Sequence, residues 1–161
     1  MAYKQIGYPI DSNHDAAKFE PGTIFQDGAT GKAYRYVLIE DADVANGDVV
    51  EYSDTSGYEV TKDRAGGASI GRVVAGVAVA TVTDGNYGFI QVSGRHTAVK
   101  CDGGVAAGDV LVPHATYDGK ADTAASGSTV VNTEGQRFAF ALATDDTSAS
   151  TARVVADIRC L

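Results

Sequence analysis

The chain has 161 residues, among them 19 Gly, 3 Pro and no Trp, and carries a formal charge of −8. Binding to nucleic acid or to an anionic membrane needs clustered Lys and Arg, and this acidic sequence has no basic run, so neither partner is expected. The length suits one domain with a substantial core, and an apolar content drawn mostly from Ala and Val favours many short strands over a helical bundle.

Residues 1–22 carry Tyr3, Ile6, Tyr8, Pro9, Ile10 and Phe19 among polar residues, with no period of 2 or 3.6. Spaced apolar side chains without a period read either as a loosely ordered terminus or as an extended N-terminal arm, and in the second case these six are the candidate contacts with a partner or neighbouring subunit. Deleting the arm is then expected to leave a folded core and to weaken attachment. The start lacks the apolar stretch of a signal peptide and no run is long enough to span a bilayer, so synthesis in a cytoplasm is expected.

A β-rich domain over 23–161 follows. Thr23-Ile24-Phe25 reads as a short strand ended by Asp27-Gly28. Residues 32–39 read as a longer one, with Tyr34, Tyr36 and Leu38 on one face and Arg35, Val37 and Ile39 on the other. The firmest stretch is Arg72 to Gly94. Two β-branched runs flank Thr83-Asp84-Gly85-Asn86, whose Asp-Gly supplies the positive φ of a tight turn, so a hairpin is predicted there.

From Val44 the chain repeats itself. Val44-Ala45-Asn46-Gly47-Asp48-Val49-Val50 matches Val105-Ala106-Ala107-Gly108-Asp109-Val110-Leu111, an offset of 105 − 44 = 61. Val77-Ala78-Val79-Ala80-Thr81 matches Phe140-Ala141-Leu142-Ala143-Thr144, an offset of 140 − 77 = 63, and Phe89–Val92 and Ala152–Val155 fall at that same spacing. Two copies are too few for a solenoid, so the expectation is a β-sandwich or barrel-like module built from two related β-units, about 44–94 and 105–158. The last strand alternates, with Val154, Ala156, Ile158 and Cys160 inward and Arg153, Val155, Asp157 and Arg159 outward.

No constellation in the sequence carries catalysis or a cofactor. His14, His96 and His114 lie far from one another and from either cysteine, which leaves a metal site without local spacing. Cys101 and Cys160 follow inward-facing residues and read as small buried hydrophobes. The Asp residues of the Gly-Asp and Asp-Gly turns cap local backbone groups, while Asp41-Ala42-Asp43 and Asp145-Asp146, which lack the ligand ladder of an EF-hand Ca²⁺ loop, read as solvated acidic loops. Ser93 lacks the G-x-S-x-G context of a nucleophile elbow, and the Gly pairs lack the Lys of a phosphate loop. Val105-Ala106-Ala107-Gly108-Asp109-Val110-Leu111 is similar to a phrase of lipoyl carrier domains. The hairpin that would present their Lys holds Asp84-Gly85-Asn86 instead, so the phrase reads as a shared turn.

From Gly76 to Pro113 the chain runs Gly-Val-Ala-Val-Ala-Thr, an Asp-Gly turn, Gly-Phe-Ile-Gln-Val-Ser-Gly, then Val-Ala-Ala-Gly-Asp-Val-Leu-Val-Pro. This resembles the small Gly/Ala/Val-rich proteins that decorate, or cement, the capsid exterior of tailed bacteriophages, best over about 44–115. The resemblance implies a non-enzymatic virion protein that binds assembled major capsid protein and reinforces it, often as a trimer. Two alternatives stand beside it: another phage structural part, such as a head fibre base or tail component, and a small β-barrel hydrolase or ligand-binding module with a pocket at His96 or His114.

Overall fold

The computed structural model describes residues 4–5, 7–53, 57–63, 73–124, 137–145 and 152–160. Among these, every regular element is a strand. They are β1 (Lys4–Gln5), β2 (Ile24–Asp27), β3 (Lys32–Ile39), β4 (Val49–Tyr52), β5 (Glu59–Thr61), β6 (Val74–Ala78), β7 (Tyr87–Lys100), β8 (Val110–Pro113), β9 (Ala121–Thr123), β10 (Ala139–Ala141) and β11 (Arg153–Arg159). The all-β expectation holds. Arg72, the first residue of the predicted hairpin, lies outside the described residues. From Val74 the two runs form β6 and β7, joined through a Thr83–Asn86 turn whose Gly85 has φ +77°.

Hydrogen bonding closes β3, β5, β4, β6 and the first half of β7 into a five-stranded barrel, because β7 pairs with β6 on one edge and with β3 on the other. Val37, Ile39, Val50, Val60, Ala75, Ala78, Ile90 and Val92 fill its interior. The second half of β7 opens a second unit with β11, β10, β8 and β9, and an isolated parallel bridge from Cys101 to Ala121 closes that circuit. Val99, Cys101, Leu111, Phe138, Val154, Ala156 and Ile158 lie in its core. We refer to these as barrel 1 and barrel 2.

The two circuits are the same circuit. Each runs first strand, third strand (parallel), second strand, fourth strand, fifth strand, and back to the first. Their turns match bond for bond. Asp48 Oδ2 accepts from Ala45 N at 2.8 Å, and Asp109 Oδ2 accepts from Ala106 N at 2.8 Å. Gly47 N donates to Ala78 O, and Gly108 N donates to Ala141 O. Val50 pairs with Gly76 and Leu111 with Ala139, which reproduces the offsets of 61 and 63.

The register corrects the spacing of the last strand. Ala78 pairs with Ile90, and Ala141 with Ala156, so Ile90 corresponds to Ala156 at an offset of 156 − 90 = 66 rather than 63. The sequence between β10 and β11 is three residues longer than that between β6 and β7, and cross-strand bonds rather than sequence spacing set which residues correspond.

β7 is the 14-residue strand common to both barrels. Ser93 pairs with Ala33 of barrel 1 and with Arg159 of barrel 2. Next to it Gly94 takes φ +89°, a left-handed conformation that glycine adopts without a Cβ penalty.

Candidate attachment surfaces

β3 sends Val37 and Ile39 into barrel 1, so its alternate residues Tyr34 and Tyr36 must point outward. There they form an aromatic cluster with Phe25 of β2 and Phe89 of β7. Residues 8–19 cover this cluster. The Phe19 ring meets Phe25 at 4.9 Å and Tyr36 at 5.3 Å, both edge to face, an arrangement that aromatic quadrupoles favour. Ile10 packs on the same cluster. Tyr8 touches Phe19 and His14 edge-on and remains 39% exposed, while Pro9 beside it is exposed. Of the six candidate contacts, Tyr3 and Ile6 lie outside the described residues. Tyr8, Pro9, Ile10 and Phe19 are brought together on one side of barrel 1.

His14 pins this covering in place. Its backbone N–H donates to Tyr87 O at 2.9 Å and its carbonyl accepts from Tyr87 N at 2.8 Å, a two-bond bridge to β7. The Tyr36 hydroxyl accepts the amide of Lys18 at 3.1 Å and lies 2.9 Å from His14 Nδ1, where it can donate. His14 Nε2 is buried with no hydrogen-bond partner. Burial, helped by the charge of Lys18, lowers the imidazole pKa and favours the neutral ring.

Tyr8, Pro9 and Ile10 also line an open groove of about 480 Å³, together with Asp11, Asp27, Tyr34 and Val79. Its walls are apolar and aromatic, with two carboxylates at hand. Asp27 is held by the Thr30 hydroxyl and the amide of Ala29, which keep its carboxyl below the ordinary carboxylate range. Such a groove can accept an apolar or aromatic segment of a partner.

A different kind of surface joins the barrels. The Gly47-Asp48 turn of barrel 1 sits against the end of β7. Lys100 N donates to Gly47 O at 2.9 Å, Val49 N donates to Gly119 O at 2.8 Å, and the buried Asp48 carboxylate receives the Lys100 ammonium, with Lys62 at 3.6 Å. The turn that merely starts a strand in sequence is thus the contact that locks the two units.

Six further titratable groups among the described residues are spent on structure. His96 is buried, and its Nδ1 accepts from Ala98 N at 3.2 Å. Desolvation, with Lys32 and Arg153 adding to it, lowers its pKa to about 4. His114 Nδ1 accepts from the amides of Thr116 and Tyr117, while Nε2 faces Asp102 at 3.3 Å. Asp43 accepts from Asp84 N and Asp145 from Val105 N, so instead of standing as solvated acidic loops each ties down a turn distant in sequence. Cys101 lies in the core of barrel 2, and burial pushes the Cys160 thiol up to about 12, far from a reactive thiolate. Among the described residues no three His, Cys, Asp or Glu side chains gather where they could hold a metal ion.

No protein-family model and no curated protein matches the chain. Among solved structures, it is similar to the N base of the head fibre protein gp8.5 of bacteriophage phi29. The likeness has a TM-score of 0.50 at 16% identity and covers 81% of this chain and 98% of that one. At that identity the likeness concerns the fold.

Proposed function

We propose that this chain is a structural protein of a tailed-bacteriophage head, seated on the outer face of the shell, where it binds major capsid protein and has no catalytic role. The observation that carries the reading is the shared fold with a head fibre base over 98% of that chain. The resemblance of residues 76–113 to capsid decoration proteins supports the capsid exterior from the sequence side. The physical chemistry is compatible. An acidic surface suits the outside of a shell better than its DNA-facing side. The groove at Tyr8, Pro9 and Ile10 offers apolar area for one capsid segment. Weak single contacts suffice when many copies engage one lattice, and a trimer would multiply them further.

The test is made on particles. Purified virions should contain the chain in numbers comparable to the capsomers, and imaging should place it outside the shell. Particles stripped of it should lose resistance to heat. Its absence from virions would overturn the proposal. The fibre-base likeness favours a second reading, in which the module anchors a longer projection. Copy number and the presence of a fibre above each module separate the two.

A further inference from the structure

Because the barrels repeat one design, the faces they present can be compared position by position. On barrel 1, Val49 and Val77 lie opposite each other on β4 and β6. They point away from the barrel interior, since their neighbours Val50 and Ala78 belong to it. Both are nonetheless buried, because they join the core cluster of barrel 2. The equivalent pair on barrel 2 is Val110 and Phe140, again directly opposed.

Here the face stands open. Phe140 is 40% exposed where Val77 is 0%, and Leu142 is 50% exposed, whereas its counterpart Val79 is half-buried against the aromatic cluster of Phe25 and Phe89. The turns beside the two faces differ in the same way. A Cβ on Gly47 would lie 2.1 Å from Ala98 O, whereas one on Gly108 would meet nothing within 4 Å. The same face is covered once and bare once, and the bare copy carries the larger apolar side chains.

What covers the face in barrel 1 is another barrel of this chain. A second copy cannot repeat that arrangement with its own barrel 1. Leu38 is there the counterpart of Lys100 and Tyr58 that of Gly119, but the Leu38 amide already donates to Tyr58 O at 3.0 Å, so the two groups that would hold an incoming Gly-Asp turn are bonded to each other. Head-to-tail stacking is therefore capped at the front, which leaves the bare faces to cover one another. Their rim permits it. Arg159 lies over the Phe140 ring at 4.8 Å and pairs with Asp157 at 2.9 Å, so the patch carries both signs of charge. Two like copies can approach there without the repulsion that a −8 protein meets elsewhere. We propose that the open face of barrel 2 is an interface between copies of this chain, with Phe140 and Leu142 of neighbouring copies meeting around a shared rotation axis.

This goes beyond attachment to a shell and is read in solution without one. At about 100 µM the isolated full chain should sediment as a closed oligomer, dimer or trimer. Replacing both residues (Phe140→Ser with Leu142→Ser) should weaken association by more than about a hundredfold, because two large apolar side chains lose their burial. Val73→Ser removes a side chain that is 56% exposed on barrel 1 and should leave association unchanged. Far-UV circular dichroism and a cooperative urea transition establish that the variants fold. If the double variant does not fold, Leu142→Asp alone provides the comparison. A wild-type monomer at that concentration, an oligomer that survives the substitutions, or equal dissociation by Val73→Ser would overturn the proposal.

Discussion

Gly47 and Gly108 occupy the same position in the two barrels, and replacing each with Ala measures the junction between them. Their φ angles are alike, +91° and +96°, so the intrinsic strain of an L side chain is alike, about 1–2 kcal/mol in each case. Part of that is recovered from the unfolded chain, roughly 0.4–1 kcal/mol, again equally. The surroundings differ. At Gly108 the new methyl enters open space. At Gly47 it would stand 2.1 Å from the Ala98 carbonyl oxygen and 2.9 Å from the Arg153 guanidinium. Backbone must then move by more than about an ångström, which breaks the Lys100 N to Gly47 O bond and strains the Asp48–Lys100 contact beside it. Leaving buried polar groups unpaired costs about 1–3 kcal/mol each. Gly108→Ala should therefore cost about 1 kcal/mol and Gly47→Ala about 4 kcal/mol or more, against a total stability of about 5–15 kcal/mol for a domain. Urea unfolding at protein concentrations below self-association, with equal m-values, gives both numbers. Costs within about 1 kcal/mol of each other would refute the account of the junction.

Two further outcomes follow from the buried groups. His96 has its pKa lowered to about 4 in the folded state, so the unfolded chain takes up a proton first as pH falls. Its contribution is fully present above about pH 6.5 and is lost between that value and about 4, some 3 kcal/mol in all. Stability measured by urea at several pH values should fall less steeply over this window in His96→Gln; an unchanged slope would remove His96 as the cause. Phe19→Ala should destabilise barrel 1 by about 2 kcal/mol, since the half-buried ring packs against Phe25, Tyr36 and Phe89. A cost below about 1 kcal/mol would mean that residues 8–19 rest on the cluster without contributing to it.

Much of the fold is visible in local pattern. The alternation of Tyr34 and Tyr36 against Val37 and Ile39 assigns both faces of β3, and the repeated Gly-Asp turn reveals the duplication, because each is set by residues close in the chain. What depends on distant partners is not visible. Phe19 and His14 look like parts of a polar arm until Tyr36 and Tyr87 are placed beside them, and no period in 1–22 encodes that meeting. Gly94 reads as the end of a strand, yet its left-handed backbone lies within β7 where the strand passes from one barrel to the other. The attachment candidates Tyr8, Pro9 and Ile10 were legible as apolar residues out of pattern. The groove they share with Tyr34 and Val79 was not, because it is made by strands folded against them. The open face at Phe140 is legible only after the two units are aligned by register.

The single strand running through both barrels has a mechanical meaning. Two domains joined by a linker can be pulled apart one at a time, each yielding before load reaches the next. Here one extended strand of about 45 Å runs from one unit straight into the other, so tension entering barrel 1 arrives in barrel 2 along covalent bonds. It also shears β3 and β11 against β7 at the same moment, since Ser93 is held from both sides. The chain should yield to force as one body, at a load set by two ladders rather than one.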